Sequence, residues 1–232
     1  MKKKKLIIIV PARGGSQGIK NKNLTLLKKK PLVTYSFELA KKVNEKNKII
    51  FCSTDSKKIK DLATKAKINA SFLRPKKISK NLSRDLDFVN HALTNFYNKG
   101  FGFKYGLILR PTSPIRNINY INSAYEIFKR NKKLDSMRAI IEAPLTPFKM
   151  WYEKNNIITS IIKSKIEEHY NAPRQILPRV YWQTGNFEFF KIDFKKYIKS
   201  ISGKKIYGYK IKKKYSIDID DLQDINQAEK YI

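Results

Sequence analysis

The sequence predicts an α/β protein built on a mostly parallel sheet with helices on both faces. Three observations carry that prediction. Short apolar runs rich in β-branched residues alternate with segments of helical spacing, and strands linked through helices run parallel with right-handed crossovers. The first run, Leu6 to Val10, holds no polar residue, as a strand covered on both faces requires. Polar segments then follow the strands, and ligands in such sheets sit beyond the strands' carboxyl ends.

Pro11 ends the first strand, and a loop containing Gly14, Gly15 and Gly18 follows. Pro31 to Val43 places Leu32, Tyr35, Leu39 and Val43 at helical spacing, with Pro31 suited to a first turn. Lys48 to Cys52 is the second strand. Ser53-Thr54-Asp55-Ser56 then supplies N-caps for a helix through Ala66, and Asp55 is read as such a cap. Ala70 to Leu73 reads as a short third strand ending at Arg74-Pro75, before a polar loop to Ser83 and a helix over Asp85 to Tyr97. Tyr105 to Leu109 is the fourth strand, closed by Arg110-Pro111-Thr112-Ser113-Pro114. A helix over Ile118 to Arg130 and a fifth strand, Ser136 to Ile141, complete the alternation.

From Pro144 to Val180 the rhythm breaks. Lys149 to Tyr152 and Asn156 to Ile162 read as short antiparallel strands, and Pro173-Arg174-Gln175 as a basic connection. This stretch is expected to project from the sheet. Val180 to Phe190, Lys205 to Ile211 and Tyr215 to Ile219 are further strands, before a helix over Leu222 to Tyr231. The expectation is one domain over residues 1–232, with 144–180 as an excursion.

Composition bounds the function. A chain of 232 residues with 41% hydrophobic and 12% aromatic content can bury a core and is not disordered. No apolar run approaches the ~20 residues that span a bilayer. Lys2 to Lys5 before Leu6 to Val10 mimics a signal peptide, but the apolar part is short and no cleavage site follows. Cys52 is the single cysteine, which excludes an intrachain disulfide and a cysteine zinc cluster. A cytoplasmic location is the expectation. The formal charge of +31 points by itself to nucleic acid or an anionic surface. The basic residues are mostly Lys, scattered among abundant Asn and Ile, and are read as compositional background. No specific nucleic acid and no membrane is expected as a partner.

The candidate chemistry lies at the two ends of the chain. In Leu6 to Asn23, a strand runs into a glycine-rich loop with Arg13, Lys20 and Lys22 around it. Glycines let main-chain N–H groups approach a ligand, and cations suit a phosphate chain. The loop fits neither GxxxxGK[ST] nor GxGxxG; the alternative is an ordinary glycine turn. Near the tail, Ser-Ile-Asp-Ile-Asp puts Asp218 and Asp220 on one strand face. Two carboxylates plus substrate phosphates suit Mg²⁺, whereas the competing reading caps the last helix, for which Asp221 serves. His91 and His169 have no partner at ligand spacing and read as structural or solvent-facing, while Trp151 and Trp182 read as core or interface residues.

Pro-Ala-Arg-Gly-Gly-Ser directly after a strand, followed by Lys22-Asn23, resembles the signature of the CMP-sugar synthetases, the acylneuraminate-type cytidylyltransferases. The resemblance runs in order through Ser53-Thr54-Asp55, Arg74-Pro75, Ser83, Pro111 to Pro114, Arg174-Gln175 and Ser216 to Asp220. It implies a Rossmann-like, nucleotide-diphospho-sugar transferase-like fold and a homodimer formed through the excursion. It also implies transfer of CMP from CTP to the anomeric hydroxyl of an acidic, sialic-acid-like sugar for glycan biosynthesis. Carried over residue by residue, Ala12, Arg13, Gly14, Ser16, Lys22, Asn23, Arg74 and Ser83 resemble the nucleotide contacts, and Arg174 an active-site arginine. Arg110, Thr112, Gln183 and Thr184 fall at the sugar pocket, and Asp218 and Asp220 at the Mg²⁺ carboxylates. Arg13, Lys22, Arg174, Asp218 and Asp220 form the implied catalytic set.

The sequence departs from the family pattern at three places. Gln17 stands where a Lys is common, and Arg110 where the sialic acid enzymes have Gln. Trp182-Gln183-Thr184-Gly185-Asn186 replaces an Asn-Gly pair. An Arg offers a fixed fork to a carboxylate, so legionaminic-like or pseudaminic-like acids stand beside N-acetylneuraminic acid as acceptors. The rival readings are a polyanion-binding protein on a retained scaffold, or a nucleotidyltransferase using another nucleoside triphosphate or Kdo.

Overall fold

Strand β1 (Lys2–Pro11) is the spine of the sheet in the computed structural model, which describes residues 1–15 and 18–232. The helices around it are α1 (Leu32–Lys42), α2 (Lys57–Lys65), α3 (Asp85–Asn98), α4 (Ile118–Arg130) and α5 (Leu222–Glu229). Leu6 to Val10 has no solvent exposure. Because side chains alternate along a strand, Leu6, Ile8 and Val10 join the core with α1, α2 and α4, whereas Ile7 and Ile9 join the core with α3.

β1 pairs in parallel with β2 (Lys48–Ser53) on one side and β3 (Phe101–Ile108) on the other. β4 (Ser136–Glu142) follows α4. The next two strands, β5 (Trp151–Lys154) and β6 (Ile157–Ser160), pair antiparallel with each other. β7 (Tyr181–Lys191) then enters antiparallel between β3 and β4, and β8 (Ile206–Lys210) pairs in parallel with β4 at the edge. The main order is therefore β8-β4-β7-β3-β1-β2. The expected parallel α/β sheet is present, with one antiparallel strand in its middle.

Two expected strands do not form. After one parallel bridge between Phe51 and Asn69, the Ser71 N–H donates to the Asn69 side chain and the chain turns away. A local side-chain bond has replaced the ladder, so Ala70 to Leu73 is not a strand. Tyr215 to Ile219 keeps the alternation, since Ile217 and Ile219 are buried against Leu27, Leu32, Ile115 and Ile225 of a third core. Its neighbour is a loop, however: the Ile219 N–H donates to the Thr112 carbonyl at 2.7 Å and no ladder continues. β1 is longer than its apolar run because Lys2 to Lys4 pair with Phe101 to Phe103 while Lys2, Lys3 and Lys5 stay exposed. Among the described residues, no helix is long and apolar enough to cross a membrane.

Candidate nucleotide site

The carboxyl ends of β1 and β3 and the tail before α5 enclose a cleft of about 550 Å³. Its wall carries Arg13 and Gly18 from the first loop, Lys22 and Asn23, Arg74, Ser83, Arg110 and Thr112, and Asp220. Residues 198 positions apart meet there: Lys22 Nζ donates to Asp220 Oδ1 at 2.9 Å and to the Ile219 carbonyl at 2.8 Å. The Lys22 side chain is 11% exposed and that of Asp220 81%, so the lysine is built in and the carboxylate is presented. A main-chain approach fixes the same junction. A β-carbon on Gly18 would stand 2.5 Å from the Asp220 carbonyl oxygen, so only glycine lets the loop lie against the tail.

The start of the loop, at Arg13 and Gly14, is held from behind. Asn23, buried, donates from Nδ2 to the Arg13 carbonyl at 2.8 Å, and Arg13 Nη1 donates to Asn81 Oδ1 at 2.8 Å. The Gly14 N–H donates to Asp55 Oδ1 at 2.8 Å. Asp55 is therefore not the cap of α2; Ser56 takes that place, accepting from the Ile59 N–H at 3.4 Å. Proximity to the glycine loop decided between the two neighbours, and spacing alone did not reveal it.

Arg74 is buried. Its Nε and Nη2 donate to the Ser53 hydroxyl at 3.1 Å and carbonyl at 2.6 Å, and its guanidinium lies over the Phe88 ring at 4.9 Å. Burial pulls its pKa down to about 10, with the nearby Asp55 opposing that shift. Arg116, which sequence reasoning passed over, braces the loop after β3. It donates to the Asn186 carbonyl at 2.6 Å, the Ser36 hydroxyl at 3.1 Å and the Arg110 carbonyl. Burial lowers it to about 9 against the opposing pull of Asp218.

Other candidates lie elsewhere. The Ala12 N–H is spent on the Ser53 carbonyl at 2.9 Å, and Ala12 has no exposed surface. Thr184 is buried and donates to the Ala139 carbonyl at 3.2 Å, so its hydroxyl serves the sheet. Exposed Gln183 reaches Glu188 at 3.5 Å. Arg174 stands apart from the cleft, on a separate depression with Glu142 and Gln175, where it donates to the Ala143 carbonyl at 2.8 Å. Asp218 does not share a strand face with Asp220 in a sheet. Its Oδ1 accepts from the Ser113 hydroxyl at 3.1 Å, and it lines a neighbouring depression that also includes Asp220. Ser16 and Gln17 lie outside the described residues. Lys80 and Asn81, in the polar stretch before α3, and Asp85, in its first turn, line the cleft without having been singled out.

A strand-to-loop turn lined by cations, facing an exposed carboxylate across a polar cleft, defines a nucleotidyltransferase of the α/β class. The cytidylyltransferase family model matches residues 7–144, and the chain belongs to that family. It is 30% identical to the pseudaminic acid cytidylyltransferase of Campylobacter jejuni, over 80% of this chain and 78% of that protein. It is 27% identical to the N-acylneuraminate cytidylyltransferase of Escherichia coli, over 97% of this chain, and spans about half (51%) of that longer protein. Two solved structures share the fold. One is a CMP:2-keto-3-deoxy-manno-octonic acid synthetase complexed with CTP, at TM-score 0.69, 12% identity and 97% coverage of both chains. The other is a 4-diphosphocytidyl-2C-methyl-D-erythritol synthase, at TM-score 0.67, 8% identity and 98% coverage of both.

Proposed function

We propose that this chain transfers CMP from CTP to the anomeric hydroxyl of a sialic-acid-like sugar acid. The observation that carries the reading is the single cleft in which Arg13, Lys22 and Asp220 converge. The anomeric hydroxyl oxygen attacks the α-phosphorus and forms the new P–O bond as its proton passes to solvent. The bond from the α-phosphorus to the bridging oxygen breaks, and pyrophosphate leaves with the electron pair. Arg13 and Lys22 neutralise the triphosphate, while the braced loops fix its position. The relatives' names, N-acylneuraminate and pseudaminic acid cytidylyltransferase, support the acceptor class.

The donor set suits a divalent cation. Among the described residues no group of three or more His, Cys, Asp or Glu forms a metal site, yet Mg²⁺ commonly takes one or two carboxylates and completes its shell with substrate phosphates and water. Asp220 would hold it at the cleft, with Asp218 from the adjoining depression. When bound, Mg²⁺ supplies charge neutralisation on the transferring phosphate and orients the triphosphate. We read residues 144–180 as a homodimer surface: Tyr152, Ile157 and Ile158 are 67%, 69% and 54% exposed on a hairpin that, among the described residues, forms a separate two-stranded sheet. The reaction belongs in the cytoplasm, where CTP is available.

The test is pyrophosphate release from CTP across N-acetylneuraminic, legionaminic, pseudaminic and Kdo acceptors, with UTP, ATP and GTP in parallel. Turnover should need CTP and a nine-carbon acid, and Asp220→Ala or Arg13→Ala should lower kcat/KM about a hundredfold or more. Full turnover by both variants would sink the reading, and turnover with Kdo alone would move the acceptor to the rival class.

A further inference from the structure

Arg110 follows β3 and lines the cleft, but it is not a free cation. Its Nη2 donates to Glu188 Oε1 on β7 at 2.7 Å and to Asp85 Oδ2 in the first turn of α3. Glu188 is the fixed partner. Its side chain is 4% exposed, and its other oxygen lies 3.3 Å from Arg138 Nη1. Removing one partner of a buried carboxylate is costly, so Glu188 anchors Arg110. The Asp85 side chain, by contrast, is 45% exposed and lines the same cleft.

A guanidinium offers a carboxylate two bidentate edges, Nε with Nη2 and Nη1 with Nη2. Nη2 belongs to both, and both of its hydrogens are taken. Among the described residues, Nε and Nη1 donate to no protein group, and neither is a buried unsatisfied atom. Solvent therefore reaches them. An acid entering the cleft gains either full edge only by displacing one of the two carboxylates, and the exposed Asp85 is the one that can leave.

We propose that Asp85 is an exchangeable carboxylate latch on Arg110, which the carboxylate of the acceptor sugar acid displaces while Glu188 holds the guanidinium in place. Arg110 and Arg138 balance Asp85 and Glu188, and the entering carboxylate takes over one of those pairings as the exposed Asp85 swings out to solvent. The latch makes acceptor affinity the difference between two carboxylate–arginine pairings. Asp85 is thus a specificity-setting residue, acting through Arg110. The proposal rests on the sugar-acid reading of the cleft.

The test compares wild type with Asp85→Asn, which keeps the shape and removes the competing charge. The acceptor is whichever sugar acid turns over in the wild type, used alongside its methyl ester. Asp85→Asn should lower KM for the acid about two- to fivefold, the scale of a partly exposed ion pair. The gain should lie in KM rather than kcat, with KM for CTP held, and it should vanish with the ester. A gain that persists with the ester, or a KM that stays constant or rises, overturns the latch while leaving the enzyme reading intact. Absence of wild-type turnover with every acid removes both. Glu188→Gln supplies the second arm: it should raise KM for the acid but not for the ester, whereas a purely structural role would affect both equally.

Discussion

At the scale of single residues, Gly18 and Gly15 look alike in the sequence but not in the fold. A β-carbon at Gly18 meets the Asp220 carbonyl oxygen, while at Gly15 no described atom lies within 4 Å. Gly18→Ala should therefore destabilise by about 1–3 kcal/mol and depress pyrophosphate release. Gly15→Ala should stay within about 0.5 kcal/mol of wild type. Thermal melts and initial rates on the pair check both. Cys52 gives a chemical counterpart. It is buried on β2, and burial pushes its thiol up to about 12, with Arg74 pulling the other way. The thiolate is the reactive form, so at pH 8 the folded chain should react with a thiol reagent far more slowly than the urea-unfolded chain. Equal rates would contradict that burial.

At the scale of elements, α5 positions a proposed site residue, Asp220, that precedes it. Asp221 caps the helix, accepting from the Gln223 and Asp224 N–H groups at 2.8 and 3.0 Å. Asp224 answers by accepting from the Asp220 and Asp221 N–H groups at 2.9 and 3.0 Å. Asp221→Ala should cost about 1 kcal/mol, the worth of a cap, and lower Tm by about 2–4 °C for a chain of this size. Asp224→Ala frees the Asp220 main chain, so its loss of kcat/KM should exceed what its Tm change explains. A proportional loss in the two variants would mean that the helix contributes stability alone. β7 shows another element acting at a distance: its register against β4 breaks between Arg138 and Ile140, and the irregular stretch carries Asn186. The Asn186 amide donates to the Ile115 and Tyr215 carbonyls at 3.2 and 2.7 Å, tying the loop after β3 to the tail.

At the scale of the whole molecule, the topology sets a lysine-rich end apart from the cleft. The parallel strands begin at one end of the sheet, where Lys2, Lys3, Lys5, Lys132, Lys133, Lys204 and Lys205 are exposed. The cleft at the other end sets Asp85 and Asp220 among Arg13, Lys22, Arg74, Lys80 and Arg110. With a net charge of +31, the chain should bind heparin at low salt and release it steeply as salt rises. Replacing Lys132, Lys133, Lys204 and Lys205 with Glu should weaken retention and leave kcat/KM unchanged. A parallel loss of activity would make the basic end part of the enzyme's working surface. The hairpin of β5 and β6 bears on assembly: Ile157→Asp should shift a dimer toward monomer in sedimentation, and an unaltered profile would place any dimer face elsewhere.

Local physics made much of this legible in the sequence. Leu6 to Val10 could satisfy its apolar character only as a covered strand, and the bounds of α4 follow from its periodicity. Asp221 declared itself as a cap because capping is a bond between near neighbours. The sequence also placed candidate chemistry at both ends of the chain, and the fold brings Lys22 and Asp220 together. Only the tertiary structure decided which groups meet: that Lys22 reaches Asp220, that Asp55 serves Gly14 rather than its own helix, that Thr184 turns into the sheet, and that Arg110 is already paired. Those outcomes depend on contacts between residues tens to hundreds of positions apart, and such contacts are set by packing rather than by the spacing of residues along the chain.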